Sequence, residues 1–197
     1  MNKLLLKTIL CITMQKDIES LQRTYLSALM SLYDMHDATI YKPISNANTV
    51  NLEQIIKLRS SKQCADGSET CIDDLPLTVE INTDIQACLN SKDTVIVSLT
   101  ENTITILLPV VNDNVVLSII SLKGDKSLRG SLEEMTYLAR IYGNFFTLLN
   151  ESERDTLTSL YNRRTFDAKL ARMLAVQKSI KLAEIEMTKY RDHLEEL

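Results

Sequence analysis

The sequence predicts an α+β fold: one antiparallel sheet with long N- and C-terminal helices on one face, short helices and loops on the other, and a helical extension beyond. Three observations carry this. Three β-branched runs follow one another between residues 94 and 122, joined only by Thr100-Glu101-Asn102 and Asn112-Asp113-Asn114. Apolar stripes at helical spacing flank those runs on both sides. The 197 residues include only 4 Gly and 3 Pro, which leaves long helices and plain strands as the material of the fold.

Residues 4–35 carry a stripe at Leu4, Cys11, Met14, Ile18, Leu21, Tyr25, Ala28, Leu32 and Met35. From Met14 its steps alternate four and three, the period of a helix that keeps one seam against another. Two readings stay open, a core helix of the monomer and a dimer seam. A strand follows over Ala38–Ile44. Residues 51–59 (NLEQIIKLR) read as a helix capped by Asn51, and a polar loop holds Cys64, Gly67 and Cys71. Leu77–Ile81 alternates as a strand does, and Thr83 is placed to cap the short helix DIQACLNS. The runs Thr94–Leu99, Thr103–Val110 and Val115–Leu122 form an antiparallel meander, since their connections are hairpin-type. In the last run Val115, Leu117 and Ile119 face one side and Val116, Ile120 and Leu122 the other, which predicts a central strand covered twice. After a turn at Lys123-Gly124-Asp125, helix resumes near Leu128. Leu128, Leu132, Met135, Ala139, Tyr142, Phe146 and Leu149 make one stripe, and Leu138, Ile141, Phe145 and Leu148 its neighbour. From Asn150 the chain turns polar, and Phe166 to Leu197 is a charged helix former.

Composition excludes several classes. No glycines are paired and none forms a phosphate loop. The net charge of −4 is spread along the chain, so nucleic acid is not an expected partner. The segment MNKLLLKTILCITM reads as the start of an amphipathic helix rather than a leader, because Lys7 interrupts it and no small-residue cleavage site follows. No stretch is long enough to span a bilayer, so no membrane partner and a cytoplasmic location are expected. Cys11, Cys64, Cys71 and Cys88 have no CxxC spacing and only His36 and His193 could join them, so no metal site is expected. Buried packing is the ordinary role of such cysteines. Cys64 and Cys71 share one polar loop and are the pair that could form a redox-sensitive disulfide.

This element order resembles a GAF domain over roughly residues 15–150. A PAS domain, whose helices cluster between its second and third strands, fits less well. The stretch Asp155-Thr156-Leu157-Thr158-Ser159-Leu160-Tyr161-Asn162-Arg163-Arg164-Thr165-Phe166 resembles the opening signature of GGDEF diguanylate cyclase domains, D-x-L-T-G-L-x-N-R-R-x-F. Asp155, Leu157, Thr158, Leu160, Asn162, Arg163, Arg164 and Phe166 fit, while Ser159 stands where the family has Gly. A structural reading holds beside it: Asp155 or Thr158 caps a helix, Leu157, Leu160 and Phe166 form its buried side, and the arginines are solvated.

The resemblance implies a GAF-like sensory or dimerisation domain over 1–150, a signalling linker over 151–160 and the first helix of a GGDEF domain over 161–197. The family's catalytic Gly-Gly-Asp/Glu-Glu-Phe hairpin and its aspartate-rich strand have no counterpart here, so the expectation is a truncated diguanylate cyclase with no catalytic residue and no cofactor of its own. Mg²⁺ and GTP belong to the missing part. The resemblance further implies a parallel homodimer through the terminal helices, with any small-molecule ligand between the sheet and the 51–91 segment. Two alternatives remain: a ligand-free dimerisation scaffold, and a free methionine sulfoxide reductase using Cys64, Cys71 and Cys88. A bilin chromophore is not expected, because no Cys is followed by His.

Overall fold

The N-terminal apolar run makes two helices rather than one. In the computed structural model, which describes residues 3–46, 49–60, 70–73, 77–171, 173–175, 177–178 and 181, α1 (Lys3–Thr13) ends before α2 (Ile18–Leu32) begins. Asp17 causes the break: its carboxylate accepts from the Ser20 N–H at 2.9 Å and the Ser20 hydroxyl at 2.8 Å, a cap that starts a new helix. Leu21, Tyr25, Leu26 and Leu29 are fully buried. Along α2 the stripe is therefore monomer core, and the dimer-seam reading of 4–35 fails there.

β1 (Met35–Asn46) pairs with β2 (Thr49–Ser60), and β2 replaces the helix expected over 51–59. Ile40 faces Ile56 and Tyr41 faces Gln54, so β2 carries Ile55 as an extra residue. This bulge moves Leu52 to the opposite face from Ile56 and Leu58. The resulting spacing of Leu52, Ile55 and Ile56 imitates the i, i+3, i+4 period of a helix.

β3 (Thr70–Asp73) and β4 (Leu77–Val79) pair with successive parts of the outer edge of β2. α3 (Thr83–Ser91) is capped by Asn82, one residue earlier than expected, whose Oδ1 accepts from the Ile85 N–H at 2.9 Å. β5 (Val95–Ser98), β6 (Thr103–Asn112) and β7 (Val115–Asp125) form the expected meander. Asp113 and Asn114 close the β6–β7 hairpin with φ of 46° and 65°, the left-handed pair that a two-residue turn requires. The expected turn at 123–125 is instead strand, because β7 continues through Asp125 to pair with Thr103. A 3-10 helix (Lys126–Ser131) leads into α4 (Leu132–Ser152). A Cβ at Gly124 would lie 2.6 Å from Leu128 Cδ1 and 3.1 Å from Asp34 O, so a larger residue there has to displace the Leu128 side chain.

The strand order is β3-β2-β1-β7-β6-β5, with β4 also on β2. α1, α2 and α4 cover one face through Leu26, Leu29, Met135, Leu138 and Tyr142 on Ile40, Ile106, Leu108, Ile120 and Leu122. α3 covers the other through Ile85 and Cys88 on Leu52, Leu107 and Ile119. β7 is thus central and apolar on both faces. A bulge at Leu117, where Val110 faces Ser118 but Val111 faces Val116, puts Val116 with Ile119 rather than with Ile120. The described chain divides into two compact units, Met1–Leu149 and Asn150–Leu197.

Tyr25 and Tyr142 stack in the helix layer with centroids 4.5 Å apart and both are fully buried. Burial pushes both phenols above their usual range. The Tyr25 hydroxyl has no hydrogen-bond partner among the described residues. Tyr25→Phe is therefore expected to be neutral or stabilising by up to about 1 kcal/mol in chemical denaturation. A loss of that size would instead show a hidden partner for the hydroxyl. Gly143→Ala places a Cβ 2.8 Å from Val110 Cγ1 and should cost about 1–3 kcal/mol by overpacking α4 on β6.

Candidate functional site

The motif that begins at Asp155 folds into a small polar turn. Asp155 Oδ1 accepts from the Leu157 N–H at 3.2 Å, the Thr158 N–H at 2.9 Å and the Thr158 hydroxyl at 2.9 Å. Those bonds hold its carboxyl below the usual range, the Thr158 backbone contributing most. The turn closes with Ser159 N–H to Asp155 O at 2.9 Å and Asp155 N–H to Leu160 O at 2.8 Å, and Arg154 bridges Tyr161 in antiparallel fashion. Asn162 ties the ends together. Its Nδ2 donates to Ser152 O at 2.7 Å at the end of α4, while its Oδ1 accepts from the Thr165 N–H at 3.0 Å and so caps the helix beginning at residue 163.

Ser159 has φ of 58°, the left-handed region that a Cβ disfavours. It occupies the one position where this sequence departs from the signature's glycine. Of the other signature residues, Asp155 and Thr158 are brought together, and Asn162 rather than either of them caps the following helix, whereas Arg163 and Arg164 are exposed, with Arg163 Nε 3.9 Å from Asp167 Oδ2. Leu157, Leu160 and Phe166 are exposed rather than buried, Leu157 at 92%. Sequence reading missed Arg154, Tyr161 and Lys169. Arg154 donates to Ser159 O at 2.6 Å, and both cations lie over the Tyr161 ring, at 5.1 and 4.9 Å. Arg154 just before the motif and Tyr161 within it are the available signal.

On the sheet, the expected ligand zone is altered by the finding that 51–60 is strand: this stretch supplies floor, and α3 lies over the apolar half of it. The other half is polar. Register places Asp37 between Arg59 and Lys123, and Thr39 between Lys57 and Ser121. Lys57 Nζ sits 3.7 Å from Asp37 Oδ2. A separate cleft of about 170 Å³, small for an organic ligand, opens beside β6 just ahead of the start of β5, with Lys92, Thr136 and Arg140 in its wall.

Cys88 is buried against Leu107, its Sγ 3.8 Å from the carbonyl oxygen, and burial pushes its thiol up to about 11. Cys64 lies outside the described residues. Cys71 stands opposite Arg59 on β3, and its side chain lies outside them too. Among the described residues no group of His, Cys, Asp or Glu could hold a metal ion, and no helix is long and apolar enough to cross a membrane.

No protein-family model matches this chain, and no curated protein matches it. Solved structures do. The GAF domain of an Acinetobacter phosphoenolpyruvate-protein phosphotransferase superposes with a TM-score of 0.55 at 7% identity, over 79% of this chain and 99% of that one. The chain has a GAF-like fold. A GAF domain from A. aeolicus in an inactive state aligns at 0.51 and 16% identity, over 74% of this chain and 94% of its own. The free methionine-R-sulfoxide reductase of Neisseria meningitidis, in complex with its substrate, aligns at 0.52 and 11%, over 76% and 90%. At these identities the likeness establishes the GAF-like architecture.

Ser159→Gly removes the left-handed Cβ penalty and should stabilise the turn by about 1 kcal/mol, read as slower amide exchange at Ser159 and Leu160. Because the Asp155 pKa is lowered on folding, its contribution is present above the unfolded carboxylate value and is lost as pH falls through the folded one. Protection of the Thr158 amide should therefore collapse only below the usual carboxylate range. In Asp155→Ala this pH dependence should vanish.

Proposed function

We propose that this chain is the sensory and regulatory region of a diguanylate cyclase: a GAF-like domain over 1–150, a linker over 151–160 and the opening helix of the cyclase domain over 161–197. The observation that carries the reading is Ser159. The signature's one mismatched position adopts the backbone conformation that explains a glycine there, so the resemblance extends from residue identity to geometry. A second observation supports it. Phe166, Leu170, Met173 and Leu174 recur at helical spacing and are all exposed, as are Leu157 and Leu160. An apolar face of that extent calls for a domain to cover it.

In this reading the parent condenses two GTP into cyclic di-GMP with Mg²⁺ held by acidic residues of its GGDEF hairpin, and residues 1–197 serve regulation rather than catalysis. Control acts through the geometry of a homodimer. The inner stripe of α4, Met135, Ala139 and Tyr142, is spent on the core, with Ile141 and Phe145 packed at its edge, which leaves Tyr137 and Leu148 exposed for a partner helix. The parent's coding sequence must then carry a Gly-Gly-Asp/Glu-Glu-Phe hairpin within about a domain's length of Leu197, and the full-length product must make cyclic di-GMP. Absence of the hairpin sinks the cyclase assignment. Light scattering at tens of micromolar should give a dimer that Leu148→Glu converts to monomer, and a monomeric wild type would remove the dimer from the mechanism.

The scaffold alternative, in which the GAF-like domain only dimerises, is favoured by the closed apolar packing of Leu52, Ile85, Cys88, Leu107 and Ile119 where α3 meets the sheet. The reductase alternative is disfavoured by Cys88, whose buried thiol stays protonated at neutral pH. Free methionine sulfoxide should not be turned over at a rate that Cys88→Ser changes.

A further inference from the structure

α1 buries one face and leaves the other, which is also largely apolar, exposed. Thr8 and Ile12 are buried, and Leu5 and Ile9 pack against the core. The opposite face leaves Leu6 45%, Leu10 59% and, just past the helix end, Met14 67% exposed, with Leu4 47% exposed at its rim. Lys3 and Lys7 are exposed on that same face, at i, i+4 spacing among the leucines. Lys3, Lys7 and Lys16 are also the only charged residues before Asp17, in a chain whose net charge is −4. The outer face of α1 thus combines exposed apolar surface with positive charge and carries no acidic residue.

We infer that the outer face of α1 lies on an anionic phospholipid surface, in the plane of the interface and without spanning it. Charge decides between the available occupants. Packing two copies of this face together would bring Lys3 and Lys7 of both into one apolar seam, with no acidic residue of α1 to neutralise them. At a lipid surface the leucines and Met14 enter the acyl boundary, while the lysine stems lie along them and carry the ammonium groups up to lipid phosphates. The inference is independent of the cyclase reading, because it uses only residues 3–16 and needs no downstream domain.

The natural chain has no Trp, so Leu10→Trp supplies a single fluorophore on this face. With phosphatidylcholine vesicles containing phosphatidylserine, its emission should shift to the blue and the wild-type chain should co-sediment. Both effects should weaken as salt is raised and be absent with phosphatidylcholine alone. Lys3→Glu/Lys7→Glu should lower the partition coefficient about tenfold or more while the helical circular dichroism is unchanged. Absence of phosphatidylserine-dependent binding overturns the proposal. So does a blue-shifted emission without vesicles that grows with protein concentration, which would place a second copy on this face. If Leu10→Trp fails to fold, co-sedimentation of the wild-type chain against the lysine variant decides the same question.

Discussion

Everything in the larger unit depends on β7 being hydrogen-bonded along both edges and apolar on both faces. Ile119 and Ile120 are both fully buried although they point to opposite sides, so each face of the sheet needs its own cover. α1, α2 and α4 supply the first and α3 the second. Pairing β1 to one edge of β7 and β6 to the other leaves the long helices no place except against Ile120 and Leu122. Asp17 follows from the same demand. It lets the chain turn so that α2 meets the sheet through Leu26 and Leu29 while α1 keeps a separate direction.

The elements most readable in the sequence are those whose periodicity has one cause. β5, β6 and β7 alternate and are β-branched, and α4 repeats at helical spacing throughout. β2 was read as a helix because its pattern has two causes superposed, strand alternation and a bulge. With Ile55 inserted, Leu52 serves the α3 side and Ile56 and Leu58 the α2 side, and the summed spacing falls on the helical period. The same effect at Leu117 sends Val116 to the face opposite the one its parity predicts. A bulge is set by the partner strand, so nothing inside residues 51–59 distinguishes it from a turn of helix. The long helix over 4–35 fails for the opposite reason: its break is a local side-chain event at Asp17, written in the sequence but outweighed there by the continuous apolar stripe.

At the motif, sequence and structure divide the labour differently. Asp155 and Thr158 are legible as capping or turn chemistry and meet in the turn, whereas the cap of the following helix falls to Asn162, which the sequence pattern does not single out for it. Their partners are mostly backbone groups: Leu157 and Thr158 N–H, Ser152 O and Thr165 N–H. Backbone atoms carry no sequence identity, so these pairings are not legible from residue types. The expectation that Leu157, Leu160 and Phe166 form a buried side confuses a requirement for burial with its fulfilment. Their apolar character is real, and what covers them must come from outside the described residues or not at all.

The bonds of the turn serve geometry alone. Each bond in it fixes geometry: one carboxylate gathers three donors, one amide joins the end of α4 to the next helix, and one residue takes a left-handed conformation. None requires a metal, a nucleotide or a proton transfer. Such a turn remains intact whether or not a downstream hairpin retains the glycines and acids needed to bring GTP and Mg²⁺ together, since those groups contribute nothing to its hydrogen bonds. Ser159 sharpens the point. Where a glycine would be free, this chain tolerates strain of about 1 kcal/mol, which the Asp155 and Arg154 contacts around it offset. The turn therefore fixes how the chain passes from the end of α4 into the helix that begins at residue 163.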